Sequence, residues 1–361
     1  MKERRIIISG GGTGGHLYPA LAIGEKLREK EFHLRLTFVG SSRAVEKTIM
    51  EHQGVDFIPL RIEGLKGKGF KAIKSLLLLP FSFVKSLTIL LRLKPNLVLG
   101  VGGFSTGPIV LLASWMKIPT LILEQNLYPG FTNRLLIPWV KKAVVSFQSS
   151  LPYFKGKGTF LGNPVRKEFY SLPPKERNCK LNLLIFGGSQ GSHFLNQEIV
   201  ASLPLLKKEK KNLRIFHQTG KNDFEWVKNG YAEHHFKEAV VAPYFYDMAD
   251  YFQKSDLIIS RAGATTIAEL IASQKASLLV PFSQASDNHQ VLNARELEKI
   301  SGAKVLLEEE FTPEKFAEKI FFFLKNRENI SQMEKNLVAL KKDKVAEKIA
   351  ALCFKLMESH A

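Results

Sequence analysis

The sequence predicts an α/β fold of two similar halves, each built on a parallel sheet with helices on its faces. Three observations carry this. The run Arg5-Ile6-Ile7-Ile8-Ser9 leads through Gly10-Gly11-Gly12-Thr13-Gly14-Gly15-His16 into the helix-forming Pro19-Ala20-Leu21-Ala22-Ile23. The same pattern returns as the apolar Leu181–Phe186, the turn Gly187-Gly188-Ser189-Gln190-Gly191-Ser192 and a helix through Leu195 and Ile199. Between and after these, short β-branched runs alternate with helical segments, as βαβ units require. A chain of 361 residues suffices for two such domains.

The first glycine turn suits a phosphate. The chain reverses sharply there, a ligand approaches bare backbone, and the following helix presents free N–H groups at its positive end. As a dinucleotide fingerprint, Gly10, Gly12 and Gly15 require an acidic residue about 20 positions on. The second strand, Leu34–Gly40, instead runs into Ser41-Ser42-Arg43. That argues against NAD and leaves open an NADP-dependent oxidoreductase using Arg43. His16 reads either as an ordinary first-turn helix residue or as a general base beside a phosphate loop.

Residues 61–94 contain eight Lys or Arg against a single acid, Glu63, threaded through Leu76–Leu79, Phe81, Phe83, Val84, Leu87 and Ile89–Leu91. Pro80 and Lys85 keep the run short of the roughly 20 apolar residues that span a bilayer. It reads as a core helix with solvated lysines, or as an amphipathic patch on an anionic membrane carrying Lys71, Lys74, Leu78, Phe81 and Lys85. The net charge of +18 calls for an anionic partner. With no zinc-finger spacing and no aromatic-basic RNA signature, nucleic acid is not expected. Cys179 and Cys353 offer neither a disulfide framework nor metal-ligand spacing, and the three isoleucines at the N-terminus are too short a run for a secretory signal.

A strand at Asn96–Leu99 enters a further glycine turn, Gly100-Val101-Gly102-Gly103, with a helix from about Ile109. The strand Pro119–Leu123 ends in Glu124-Gln125-Asn126, which places Glu124 and Asn126 where ligands of open parallel sheets lie. A linker around Gly162–Arg166 and Pro173–Asn178 suggests domains at 1–164 and 165–339. In the second half Asp256–Ser260 enters Arg261-Ala262-Gly263-Ala264-Thr265-Thr266, and Asp287-Asn288-His289-Gln290 opens another helix. Ser189 reads equally as a helix N-cap or a phosphate ligand. Thr266-x-x-Glu269 reads as a capping box, which by itself accounts for the glutamate. Two glycine-looped halves suggest a cleft in which each brings one ligand for group transfer. Asp-x-Asp, the usual pair for a metal–diphosphate complex, is absent, so no metal and no other cofactor is expected.

In this order GGGTGGHLYPALAI, GLKGKGFK, VLGVGGFSTGP, LEQN, GNPVR, FGGSQGS, SRAGATTIAEL and HQVLNA resemble the MurG family, the bacterial lipid II synthases. The resemblance covers nearly the whole chain; Phe245 aligns only through Asp247-Met248. It implies a GT-B fold, two Rossmann-like domains with parallel sheets facing across a cleft, and a C-terminal helix of about 340–361 crossing back onto the first domain. It implies inverting, metal-independent transfer of N-acetylglucosamine from UDP-N-acetylglucosamine to the acceptor, undecaprenyl-pyrophosphoryl-N-acetylmuramyl-pentapeptide (lipid I). His16 would be the base. Glu269 would take the ribose, Phe245 and the Arg261–Ile267 loop with Ala264 and Thr265 the uracil region, and Ser189 the diphosphate. Gln290 and Asn126 would bind sugar hydroxyls, with Thr13, Gly14, Gly15 and Arg166 completing the donor site. Gly14, Gly15, Gly102 and Gly103 would also face the acceptor diphosphate. The 61–94 patch would dock the protein, as a peripheral component, on anionic lipids at the cytoplasmic face of the inner membrane. Another GT-B enzyme with a glycolipid or soluble acceptor is the alternative.

Overall fold

The computed structural model describes residues 3–11, 14–41, 55–60, 71–173 and 179–359, with backbone only for 71–78. The described chain forms two compact units, one of residues 1–166 with 344–361, the other of 167–343.

The first unit holds seven strands: β1 Arg5–Ser9, β2 Arg35–Ser41, β3 Asp56–Leu60, β4 Leu97–Gly100, β5 Thr120–Glu124, β6 Lys142–Val145 and β7 Gly158–Phe160. Their order is β3-β2-β1-β4-β5-β6-β7, parallel throughout. β4 and β5 are buried along their whole length because helices cover both faces. Successive side chains of β1 feed two cores: Ile6 and Ile8 pack with Leu17, Ile23, Val345 and Ile349, while Ile7 packs with Ile89, Leu90, Ile109 and Val110. The last helix, Val345–Glu358, lies against the first, Gly14–Lys30. Cys353 sits in that contact, fully buried, and burial pushes its thiol up to about 12, so it is an inert packing residue.

The helix Lys71–Leu93 carries its polarity in an unexpected sense. Between residues 81 and 93 its buried positions include Ser82 and Ser86 as well as Ile89 and Leu90, and the helix packs on Thr106–Trp115. Small serines let two helices approach closely. The outward positions include large apolar side chains beside Lys85, Thr88 and Arg92: Phe81 is 73% exposed, Val84 66% and Leu91 55%. At spacings of three, three and four, Phe81, Val84, Leu87 and Leu91 form one ridge. Part of the segment is therefore core, through Ile89 and Leu90, while Phe81, Val84, Leu87 and Leu91 stay outside it.

The second unit repeats the architecture with β8 Leu181–Phe186, β9 Leu213–Gln218, β10 Val240–Ala242, β11 Leu257–Ser260, β12 Ser277–Leu279 and β13 Ala303–Val305. The order is β10-β9-β8-β11-β12-β13, again parallel. Each sheet thus reverses its winding once, between β1 and β4 and between β8 and β11. Ligands of such sheets bind beyond the carboxyl ends of the two strands at that reversal.

Candidate active site

In the first unit the reversal is built from two glycine turns pressed together. Thr106 Oγ1 donates to Ser9 O at 3.0 Å and to Gly102 O at 2.9 Å, tying the ends of β1 and β4. Gly102 has φ +96°, and a Cβ there would lie 2.7 Å from Cδ2 and 2.9 Å from Nε2 of His16. Only glycine fits: the imidazole rests directly on this peptide. Gly103 is equally constrained by Gly11 O, which a Cβ would meet at 2.3 Å. Gly14 and Gly15 open the helix that carries His16, which starts well before Ala20. The structure therefore brings Gly14, Gly15, His16, Gly102 and Gly103 to one strand-end site; Thr13 and Arg43 lie outside the described residues. Arg166 belongs to the same unit, its guanidinium 5.2 Å from the Tyr18 ring centre, two residues beyond His16.

Glu124 does not stand ready for a ligand, contrary to the expectation from its strand-end position. Its carboxylate is buried and accepts from Asn126 N (2.9 Å), Asn126 Nδ2 (3.3 Å), Gly130 N (2.9 Å) and Asn133 Nδ2 (2.8 Å). Burial pushes its pKa above the usual carboxylate range, the four donors opposing that shift. Glu124 is thus the internal brace of the 125–133 loop, and Asn126 is held at its head. Gln125, which the sequence did not single out, is buried, donates to Val101 O at 2.7 Å and sets its Oε1 beside Gly102.

In the second unit the helix after β8 begins at His193, and its cap is Ser192, whose hydroxyl accepts from Leu195 N at 3.4 Å. Ser189 is not the cap; it is exposed in the turn ahead of it. Likewise the helix after β11 spans Ala264–Ser273 with Gly263 as its N-cap. Thr266 lies inside the first turn, so the capping-box reading of Thr266 and Glu269 fails. Glu269, 7% exposed, needs another account. Ala264 and Thr265 occupy the helix start, where amides lack intrahelical partners.

Arg261 locks these loops together. Nε and Nη2 donate to Ser192 Oγ (3.1 and 2.7 Å), Nη1 donates to Val280 O (3.1 Å), and Nη2 pairs with Glu308 Oε1 at 2.5 Å. The guanidinium also lies between the Phe194 and Phe282 rings. Its donors are consumed internally, so within the Arg261–Ile267 loop it is the backbone and not this side chain that can meet a base. Burial alone would raise Glu308, but the Ser283 and Arg261 hydrogen bonds and charge hold it below the usual carboxylate range. Gln290 opens the helix His289–Lys299, and its Oε1 accepts from Ala262 N (3.2 Å) and Phe282 N (3.0 Å). Both partners are donors, so the oxygen faces them and the NH₂ group is turned away, able to donate to phosphate or hydroxyl oxygens. Phe245 is buried and stacked on Tyr251 at 3.8 Å, and its N–H is taken by Gln218 Oε1 at 2.8 Å. Its ring is core, and any contact with a ligand is through backbone. Gln218 in turn donates to Gly188 O at 3.0 Å, linking Phe245 to the glycine turn.

Family models match both halves: Glycosyltransferase family 28 N-terminal domain over residues 6–145 and Glycosyltransferase family 28 C-terminal domain over 182–349. The UDP-N-acetylglucosamine--N-acetylmuramyl-(pentapeptide) pyrophosphoryl-undecaprenol N-acetylglucosamine transferase of Myxococcus xanthus (strain DK1622) is 39% identical over 357 residues, 98% of this chain and 93% of that one. The protein of the same name from Syntrophus aciditrophicus (strain SB) is also 39% identical, covering 98% and 99%. The crystal structure of Acinetobacter baumannii MurG superposes with a TM-score of 0.78 at 28% identity, covering 98% of this chain and 99% of that one. A kitacinnamycin glycotransferase (TM-score 0.70, 14% identity) shares the fold. The chain belongs to glycosyltransferase family 28, among the UDP-N-acetylglucosamine--N-acetylmuramyl-(pentapeptide) pyrophosphoryl-undecaprenol N-acetylglucosamine transferases.

Proposed function

We propose that this chain transfers N-acetylglucosamine from UDP-N-acetylglucosamine to the 4-hydroxyl of the N-acetylmuramyl unit of lipid I, giving lipid II. Membership of a glycosyltransferase family removes the NADP-dependent alternative. The observation that carries the mechanism is the pair of glycine-walled strand ends, one per unit, with an imidazole laid on Gly102 in the first.

In this reading the second unit takes the donor. The diphosphate lies against Ser189 and the helix starts at His193 and Ala264, Glu269 takes the ribose, and the Ala264–Thr265 segment with the backbone near Phe245 meets the uracil. Gln290, through its NH₂, and Asn126 bind sugar hydroxyls; Thr13, Gly14, Gly15 and Arg166 complete the donor contacts. Gly14, Gly15, Gly102 and Gly103 receive the acceptor diphosphate. His16 takes the proton of the 4-hydroxyl as its oxygen attacks C1 of the donor sugar. The C1–O bond to UDP breaks on the opposite face, so a single displacement inverts the anomeric centre. The negative charge gathering on the departing UDP is met by backbone N–H groups and helix dipoles. The test is transfer of labelled N-acetylglucosamine to lipid I with and without chelator. The expected result is lipid II at equal rates; a strict requirement for added divalent cation, or transfer only to a soluble acceptor, contradicts the reading.

The acceptor is lipid-borne, and among the described residues no helix is long and apolar enough to cross a membrane. We propose peripheral docking at the cytoplasmic face, with the Phe81–Leu91 ridge in the acyl boundary and Lys85, Arg92, Lys71 and Lys74 on anionic headgroups; the exposed ridge and the exposed Lys85 and Arg92 support it. The side chains of Lys71, Lys74 and Leu78 are outside the described residues. Binding to anionic vesicles is expected to fall with salt and with Lys71→Glu or Lys74→Glu. Phe81→Ser should weaken it by roughly tenfold or more, the worth of a buried Phe side chain at about 1.5–3 kcal/mol. Equal binding to neutral vesicles contradicts the electrostatic half of the proposal.

A further inference from the structure

Behind the Gly187–Ser192 turn runs a buried chain of polar side chains that none of the contacts above uses. Asn196 is fully buried, and its Nδ2 donates to Thr219 O at 2.8 Å and to Asp223 Oδ2 at 2.7 Å. Its Oδ1 therefore faces His217 Nε2 at 3.0 Å. That oxygen only accepts, so Nε2 carries the imidazole proton, and Nδ1 takes the hydrogen of the Tyr231 hydroxyl at 3.1 Å. Burial pushes His217 down to about 3, with Asp223 opposing, so the ring stays neutral and the chain of donors keeps one sense. Asp223 ends the chain near the surface, where His193 Nδ1 lies 3.0 Å from Oδ1.

This chain meets the ligand turn on its underside. The Thr219 carbonyl that Asn196 holds lies where a Cβ on Gly191 would come within 2.0 Å. Gln190 O lies within 2.2 Å of a Cβ placed on Gly220. Gly191 has φ +78°, so the turn has both the conformation and the contact distance of glycine alone. The Thr219–Gly220 peptide is thus the bed on which Gln190 and Gly191 rest, and Asn196 N donates to Ser192 O at 2.9 Å from the other side.

We propose that Asn196, aligned by His217, Tyr231 and Asp223, is a positioning residue for the donor diphosphate: it fixes the Thr219 carbonyl and thereby the amides of Ser189–Ser192. The inference rests on the reading that this turn receives the diphosphate. Asn196→Asp replaces the two donated hydrogens with an acceptor facing a carbonyl and a carboxylate. Tyr231→Phe removes only the outermost donor and spares the ring.

The experiment measures UDP and uridine binding to the full chain by calorimetry, with KM and kcat for transfer. Asn196→Asp should lower UDP affinity by about tenfold or more, the size of a lost charge-assisted hydrogen bond, and leave uridine affinity unchanged. KM for the donor rises in step while kcat at saturation is nearly kept. Tyr231→Phe shifts the UDP-to-uridine ratio in the same direction by less, and decides the matter if Asn196→Asp fails to fold. Equal loss of UDP and uridine affinity, or no loss of either, overturns the inference. A wild-type chain that binds uridine as tightly as UDP overturns the donor reading itself, which separates the two failures.

Discussion

His16→Ala is expected to lower kcat by about 10²–10⁴-fold, the usual worth of a positioned general base, while UDP-N-acetylglucosamine binds as in the wild type. The two effects separate because the imidazole sits in the first unit on Gly102, whereas the nucleotide contacts proposed here lie in the second. The ring lies against the Gly102 peptide, and circular dichroism with an unchanged urea midpoint checks that the variant keeps the fold. Steady-state transfer to lipid I and calorimetric donor binding check both halves. Full turnover at saturating substrates with weakened donor binding would make His16 a ligand and not a base. A second variant probes the seat itself: Gly102→Ala puts a methyl within 3 Å of the ring at a left-handed position, and should displace His16 and reduce kcat without touching its chemistry.

Arg261→Met is expected to destabilise the second unit by about 1.5–3 kcal/mol, because half-buried Glu308 loses its charge partner and keeps only its hydrogen bonds from Ser283. Ser192 Oγ and the Val280 carbonyl lose the guanidinium's hydrogen bonds as well. Trp226 is the one tryptophan of the second unit, so with Trp115 and Trp139 changed to Phe its fluorescence reports urea unfolding of that unit. Donor affinity should fall with stability, since Ser192 closes the turn proposed to receive the diphosphate. The acid limb offers a further check with a definite sign. Glu308 is held below its ordinary value of 4.5, so the stability it contributes is complete above that value and lost as pH falls through the lower folded value. The variant should lose this part of the acid dependence. An unchanged urea midpoint contradicts the role of Arg261 as the lock.

Much of this was legible in the residues. The paired motifs at 5–16 and 181–193 announce two parallel sheets, and glycine turns at strand ends mark where each reverses its winding. Local signals misled where tertiary partners decide. Ser189 looks like a cap, but Ser192, braced by Arg261 from another loop, does that work. Thr266 and Glu269 have capping-box spacing, yet the helix starts at Ala264 behind Gly263. Glu124 stands at a strand end, but four donors from its own loop claim it. The composition of 71–93 announces an amphipathic helix without disclosing that Ser82 and Ser86 face inward and Phe81 outward. The Asn196–His217–Tyr231 chain left no signal, since its members lie on different elements and meet only when folded.

Amide hydrogen exchange with and without UDP tests the central claim most directly, that the nucleotide is held at the reversal of the second sheet. The account predicts slowed exchange in 187–193 and 261–266, with the Phe81–Leu91 ridge unaffected. Protection confined to the 10–16 and 100–104 turns, with the second unit unchanged, would contradict it.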